Sequence, residues 1–372
     1  MDGDRLIALA IPFFFLFIGI ELLVARARRR SVYRLADAVG DLGCGMAQQL
    51  VLVFAGAALL GIYAWVYEHW RFLTLEAATP WPWLLSFFAV DFLYYWWHRA
   101  SHRVNVLWAA HVVHHQSEDF NLAVALRQAI ATSFTSLPFY LPMALLGVPP
   151  IVYATMVALS TLYQFWIHTE LVGKLGPLEW ILNTPSHHRV HHAVNPQYLD
   201  KNYAAALILW DRFFGTFAEE REPCVYGTVH PLGSFNPVWA QLAYWRDLWR
   251  TAGTVARWRD RLRLWVMPPP WVPPGLPHQP DPEVVGRPKH ETVLSPFVKW
   301  YVLVQLVPAI VATFLAMWYQ TDAPRLTLVA VVALVFWTLI SLGGLLDRRR
   351  WAVVAEVGRL AAVVAAAAVA LA

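Results

Sequence analysis

Long apolar segments separated by short polar ones dominate the pattern of residues along the chain. A helix needs roughly 20 apolar residues to cross a hydrocarbon layer about 30 Å thick. Eight segments approach or exceed that length, at 6–22, 45–67, 81–97, 129–146, 150–167, 297–319, 325–346 and 351–371. The pattern therefore predicts an all-α fold, a polytopic transmembrane helical bundle.

The composition agrees with a membrane location. Of the 372 residues, 58% are hydrophobic and 15% are charged, whereas about a quarter of the residues of soluble domains are charged. The first apolar segment is followed by RARRR (26–30) instead of the small residues of a cleavage site, which predicts a retained helix. Two cysteines, Cys44 and Cys224, are too few for a disulfide framework or a thiolate metal site.

Basic residues predict how the helices are oriented. Lys and Arg are enriched in cytoplasmic loops, so RARRR (26–30) and DRRR (347–350) are expected on the cytoplasmic side. Threading the eight segments from these anchors places both termini outside and most basic residues inside. The net charge of +4 thus reflects topology and gives no case for nucleic-acid binding. The expected location is the inner membrane of a bacterium or the endoplasmic reticulum of a eukaryote.

Histidines are concentrated in three short clusters, HRASH (98–102), HVVHH (111–115) and HHRVHH (187–192), with His168 as a fourth point. On the predicted topology all four lie at or just beyond the cytoplasmic surface. Each cluster contains histidines four residues apart, which share one face of a helix. The sequence therefore predicts a cytoplasmic helical cap that carries a histidine-rich site.

Paired imidazoles one helical turn apart are suited to binding a metal ion, and three such helices could enclose two ions. Imidazole binds Fe, Zn, Cu and Ni, and the spacing does not select among them. Because only the neutral ring binds a metal, the site is expected to fail at acid pH. The candidate ligands from spacing are His98, His102, His111, His114, His115, His188, His191 and His192.

An acidic residue inside an apolar segment suggests a supporting role. Asp91, Tyr95, His98 and His102 lie on one helical face. Asp91 could accept the second ring N–H of a ligand and fix its tautomer, with Tyr95 beside it. The alternative interpretation is that Asp91 pairs with another helix or caps its segment.

The chain resembles the fatty acid hydroxylase and sterol desaturase superfamily over roughly residues 81–240, and within it the alkylglycerol monooxygenase branch. The resemblance lies in DFLYYWWHRASH (91–102), NVLWAAHVVHHQSEDFNLAVALRQ (105–128), WIHTE (166–170) and NTPSHHRVHH (183–192). It implies that the eight histidines of the three boxes are ligands. It further implies His168 as a ninth ligand, and His187 either as a ligand or as a residue that holds a neighbouring ring.

The resemblance also implies an activity. Such an enzyme is a non-haem oxygenase with two iron ions, for which zinc can substitute on purification. It uses O₂ to hydroxylate an unactivated C–H bond of a membrane lipid. In this branch the bond is at the ether-adjacent carbon of alkylglycerols, and an external electron donor, tetrahydrobiopterin, is the reductant.

Two other functions fit the histidines. A lipid or sterol desaturase would have the same boxes, which cannot by themselves separate hydrogen removal from oxygen insertion. A histidine-rich metal transporter or binding protein is the second alternative, although transport sites lie near the membrane midplane and these clusters lie at one surface.

The expected domain organisation has four parts. N-terminal transmembrane helices occupy 1–80, and a catalytic domain with the histidine boxes occupies 81–265. A proline-rich linker (266–296) then leads to C-terminal transmembrane helices (297–372), which hold no histidine.

Overall fold

The computed structural model describes residues 3–277 and 282–371 of the chain. These residues form α1 (Gly3–Ala27), α2 (Leu35–Trp70), α3 (Pro80–Arg103), α4 (Asn105–Ala109), α5 (Val112–His115), α6 (Thr132–Leu145), α7 (Pro150–Trp166), α8 (Pro185–His192), α9 (Leu209–Phe213), α10 (Pro237–Thr254), α11 (Trp258–Val266), α12 (Pro296–Trp318), α13 (Arg325–Leu346) and α14 (Arg350–Leu371). Short 3₁₀ turns lie at Val124–Leu126 and Gly176–Trp180. The predicted all-helical fold is confirmed.

Five helices of the described chain are long and apolar enough to cross a membrane: Ala8–Ala27, Leu35–Trp70, Pro296–Trp318, Arg325–Leu346 and Arg350–Ala368. They confirm an integral membrane protein, but the sequence predicted eight spans. The other three predicted spans are α3, α6 and α7. Helices α6 and α7 have only 14 and 17 residues, and α3 carries Asp91 and a polar last turn.

The helical hairpin of α6 and α7 is fixed at its turn to the connection between α2 and α3. Phe72 N–H donates to Leu145 O (2.7 Å), and Leu75 N–H donates to Gly147 O (3.2 Å). Gly147 has a φ of +81°, and a Cβ atom there would lie 2.1 Å from Leu73 O, so only glycine fits. Helices α2, α3, α6 and α7 therefore meet at the level of this turn, and their opposite ends converge near the histidines.

The three C-terminal helices pack against the rest of the bundle. Leu50 of α2 belongs to one buried apolar cluster with Val302 and Leu306 of α12 and Leu339 of α13. Asn236 begins α10 by accepting hydrogen bonds from Val238 N–H and Trp239 N–H, and it donates to a carbonyl of α13. Helices α12 and α13 thus share their core with α2.

The cap, defined here as residues 104–131 and 167–265, lies beyond the ends of α3 and α7. The predicted linker runs along it, because Arg287 donates to Val229 O (2.9 Å) and Lys289 pairs with Asp119 (2.7 Å). Residues 278–281 of that linker lie outside the described residues. Helix α1 joins the cap through Glu21, which accepts hydrogen bonds from Leu122 N–H and the Thr169 hydroxyl.

Candidate metal centre

Nine buried or nearly buried histidines converge in two adjacent groups. The potential ligand atoms within each group all lie within 4.8 Å of one another. The first group, called the five-histidine group, consists of His98, His102, His111, His115 and His191. The second, called the four-histidine group, consists of His114, His168, His188 and His192.

Local helical structure explains which ring joins which group. The last two turns of α3 place His98 and His102 on one face, toward the five-histidine group. Helix α8 begins with Pro185 in its first turn and carries three of the nine histidines. His188 and His192, one turn apart, face the four-histidine group, whereas His191 between them faces the other. The clusters at 111–115 and 187–192 therefore each contribute histidines to both groups.

Distances between ring nitrogens fit shared metal ions. His111 Nε2 lies 3.0 Å from His98 Nε2 and 3.1 Å from His115 Nε2. His168 Nε2 lies 2.9 Å from His188 Nε2 and 3.2 Å from His114 Nε2. Two nitrogens bound at ~2.1 Å to one ion, at right angles, are about 3 Å apart.

Backbone carbonyls fix the tautomers of four rings. The Nδ1–H groups of His98 and His191 donate to Tyr203 O (2.7 Å) and Lys201 O (2.9 Å). Those of His114 and His168 donate in the same way, to Arg127 O (2.9 Å) and Gln164 O (2.7 Å). A neutral imidazole has one N–H, so each of these rings presents a lone pair at Nε2, the nitrogen that faces its group.

Two of these lone pairs face each other. His114 Nε2 and His168 Nε2 are 3.2 Å apart, and both rings have placed their only N–H on a carbonyl. Burial lowers the pKa of His114 to about 4 and that of His168 well below its usual value, so a shared proton is disfavoured at neutral pH. Nε2 of His102 and Nε2 of His191 are also buried without a hydrogen-bond partner. The donor set therefore fits a metal cation.

The metal-free protein is expected to lose stability as the pH falls from 6.5 toward 4. Burial lowers the pKa of His114 to about 4 and that of His191 to about 3, from 6.5. In this range the unfolded chain takes up protons that the folded chain cannot, so the free energy of unfolding falls. Each such ring contributes up to about 1.4 kcal/mol per pH unit. The midpoint of thermal unfolding, measured after chelation at pH 8 to 4, checks this, and a midpoint that does not change between pH 7 and 5 would contradict it.

The carboxylate of Asp91 is bound by the segment that leads into α9. It accepts hydrogen bonds from Ala206 N–H (2.7 Å), Leu207 N–H (3.1 Å) and Trp210 Nε1–H (2.8 Å), instead of from a histidine ring. Tyr95 shares a hydrogen bond with the Thr216 hydroxyl (3.0 Å). Asp91 therefore acts on the backbone segment that follows Tyr203.

Asp211 holds the other end of that segment, and sequence reasoning missed it. Its carboxylate accepts hydrogen bonds from Tyr203 N–H (2.8 Å) and Ala204 N–H (2.8 Å), and the Thr216 hydroxyl donates to it (2.7 Å). Because Tyr203 O is the acceptor for His98, Asp211 fixes that carbonyl. The available signal was a lone acid in the apolar stretch AAALILWDRFF (204–214).

His187 is the one predicted ligand that lies outside both groups. Its Nε2 is 4.0 Å from Glu179 Oε2, and its ring packs at an edge-on angle against Phe217. Its backbone carbonyl accepts a hydrogen bond (3.0 Å) from the side-chain amide of Asn202. The backbone of Asn202 is left-handed, with a φ of +55°. Through this hydrogen bond, His187 stabilises the loop that follows α8.

A cavity of about 890 Å³ extends from the histidines into the bundle. His111, His114 and His168 line one end. Most of its remaining lining is apolar and comes from α1, α2, α6, α7 and α12, including Phe14, Phe15, Leu52, Leu59, Leu60, Leu137, Val157 and Ile310. A cavity of this shape and polarity can hold an alkyl chain with one end beside the metal centre.

Comparisons with known proteins agree with this site. Residues 83–216 match the family model described as fatty acid hydroxylase. The chain is 40% identical over 347 residues to alkylglycerol monooxygenase of Danio rerio, covering 91% of this chain and 77% of that protein. It is 40% identical over 358 residues to alkylglycerol monooxygenase of Homo sapiens, covering 93% and 79%.

A more distant relative matches a smaller part of the chain. An ornithine lipid hydroxylase of Rhizobium tropici is 30% identical over 152 residues, covering 38% of this chain and 46% of that protein. No solved structure matches the chain significantly.

The histidine groups, the lipid-sized cavity and the matched domain define an O₂-dependent lipid monooxygenase of the membrane. Within that class, the chain belongs to the alkylglycerol monooxygenase family. The resemblance stated from the histidine boxes is thereby confirmed.

Proposed function

We propose that the two histidine groups bind two iron ions and that the protein hydroxylates the ether-adjacent carbon of alkylglycerols. The main observation behind the metal assignment is that His114 Nε2 and His168 Nε2 face each other at 3.2 Å, each with a lone pair and no proton. The five-histidine group would hold one ion and the four-histidine group the other. The substrate is proposed from the names of the relatives, which align with more than nine-tenths of this chain.

Iron bound here would supply the binding and reduction of O₂. The chain itself holds the ligand rings in one tautomer through the carbonyls of Lys201, Tyr203, Arg127 and Gln164. It also excludes water, since the rings are buried, and it positions the alkyl chain in the cavity. We propose an external reductant, tetrahydrobiopterin, as the source of two electrons.

The proposed reaction balances as follows. One oxygen atom of O₂ is inserted into the C–H bond next to the ether oxygen, and the other leaves as water with two electrons and two protons from the reductant and solvent. The resulting hemiacetal transfers its hydroxyl proton to the ether oxygen. The C–O bond to glycerol then breaks, which releases glycerol and a fatty aldehyde.

We also propose that the metal centre faces the cytoplasm. Arg28 donates to Leu171 O (2.8 Å) and Arg30 pairs with Glu170 (3.0 Å), so the basic run after α1 lies beside the segment that follows His168. The end of α13 lies on the same side, since Asp347 accepts a hydrogen bond from Phe235 N–H (2.7 Å) of the cap. Basic runs next to membrane helices favour the cytoplasmic side. The membrane would be the bacterial inner membrane or the endoplasmic reticulum.

Iron-loaded protein given 1-O-hexadecylglycerol, tetrahydrobiopterin and ¹⁸O₂ is expected to form hexadecanal and glycerol. The hemiacetal hydroxyl carries the inserted atom, so ¹⁸O should appear in the aldehyde, trapped as its alcohol, and not in glycerol. The measurement is mass spectrometry of both products together with elemental analysis, which should give about two irons per chain.

The matched control substrate is 1-hexadecanoylglycerol, whose acyl carbon next to the ester oxygen carries no hydrogen and should give no aldehyde. An unsaturated ether without ¹⁸O would instead identify a desaturase. A protein that binds metal but converts no lipid would favour the metal-binding alternative.

A further inference from the structure

Polar side chains line the cavity about one turn from the histidines, and a separate polar group, Gln320, Thr321 and Arg325, lines it at the connection of α12 and α13. Helix α7 runs toward the cap, so Gln164 lies one turn before His168 and Ser160 one turn farther away. Helix α2 runs away from the cap, and Gln48 and Gln49 lie about one turn beyond Cys44, which packs against the second histidine box. All these glutamines and Ser160 line the cavity.

Deeper turns of the same helices contribute apolar side chains to the cavity. On α2 these are Leu52, Leu59 and Leu60, and on α7 the next lining residue of this kind is Val157. On both helices, a deeper apolar part of the lining thus follows the glutamines. Amides at the edge of an apolar cavity are costly to bury without partners, which points to a polar ligand group at this level.

The glutamine side chains retain hydrogen-bonding capacity. Gln164 Nε2 donates to Ser160 O (3.2 Å), and Gln49 Nε2 donates to Gln48 Oε1 (3.4 Å). Each amide has two N–H donors and a carbonyl with two lone pairs. Donors and acceptors in this arrangement match the hydroxyl groups of a small polyol, which both donate and accept.

We propose that Gln48, Gln49 and Gln164 form the subsite for the hydroxyl-bearing headgroup of the lipid substrate. The inference rests on the proposed function, because the ether-adjacent carbon is the junction between headgroup and tail. If that carbon lies at the histidines, the headgroup hydroxyls lie only a few atoms away and need polar partners there. An enzyme that oxidises the middle of a chain would need apolar side chains at this position instead.

This subsite also agrees with how a lipid lies in a bilayer. The headgroup occupies the interface, near the cap, and the tail points toward the membrane centre. In the cavity the glutamines are likewise nearer to the cap than Leu59 and Leu60. A lipid can therefore enter from its own leaflet without inverting.

The test measures binding and involves no turnover. Purified protein, kept free of O₂ and reductant, is titrated with 1-O-hexadecylglycerol and with 1-methoxyhexadecane, which has the same chain and ether oxygen but no hydroxyl. Gln48→Leu, Gln49→Leu and Gln164→Leu are each compared with wild type. Gln197→Leu is the matched control, because Gln197 is exposed and pairs with Glu222 (2.7 Å) on the cap surface.

Wild type and Gln197→Leu are expected to prefer the diol. Each cavity variant should raise the Kd of the diol by about 5- to 10-fold, the effect of one lost hydrogen bond, and leave the Kd of the methoxy compound unchanged. Metal content equal to that of wild type confirms that each variant is folded.

Two results would overturn the inference. If wild type prefers the diol and all three cavity variants keep that preference, the headgroup binds elsewhere, while the proposed function stands. If wild type shows no preference, no headgroup subsite exists, and the labelled-product assay then decides the proposed function independently.

Discussion

His168→Ala is expected to reduce the metal content from about two ions per chain to about one and to lower activity by more than about 100-fold. His168 Nε2 lies 2.9 Å from His188 Nε2 and 3.2 Å from His114 Nε2. The four-histidine group would keep three donors and gain a space that water can enter. Elemental mass spectrometry and the rate of aldehyde formation measure both effects.

The matched control for this variant is His187→Ala. His187 is equally buried and lies within a histidine box, but its ring contacts Phe217 and Glu179 instead of either group. The His187→Ala variant should therefore keep both ions. If His187→Ala loses an ion while His168→Ala retains two, the assignment of ligands made from the two groups is wrong.

Arg127→Leu is expected to destabilise the protein by about 3–5 kcal/mol, because it leaves a buried carboxylate without its partner. Arg127 is 3% exposed and pairs with Asp41, which is fully buried, at 3.1 Å. The same guanidinium donates to Val113 O (2.7 Å), next to His114, whose Nδ1–H donates to Arg127 O. Loss of the arginine should therefore also disturb the orientation of His114.

The double variant Asp41→Leu/Arg127→Leu separates the two effects. Removing both charges should recover much of the stability lost in the single variant, because no unpaired charge remains. Thermal unfolding in detergent and metal content are measured for both proteins. A single variant as stable as wild type would contradict a buried, charged pair of Asp41 and Arg127.

Helical periodicity and histidine spacing predicted much of the centre. Histidines four residues apart share a helical face, and the apolar segments before His98 and His168 end at one level, so convergence followed from the sequence. The division into two groups did not follow. It depends on the direction of single rings, such as His191 between His188 and His192, and spacing alone does not give that direction.

Partners of the backbone were beyond sequence reasoning. Every residue has a carbonyl, so nothing distinguishes Tyr203 or Arg127 as the acceptor for a histidine until the fold is known. For the same reason Asp91 was recognised as unusual, but its contacts with Ala206 and Leu207 were not expected. The sequence predicted eight spans, whereas five helices of the described chain are long and apolar enough to cross a membrane; α6 and α7 are apolar yet short.

The order of the proposed ligands along the chain has a consequence for biosynthesis. All nine converging histidines lie between His98 and His192, and the last carbonyl that orients one of them belongs to Tyr203. The ribosome has therefore made the complete donor set before it begins α12, which later supplies one wall of the cavity through Ile310 and Thr313. Until that helix is inserted, the cavity lacks the wall that Ile310 and Thr313 form.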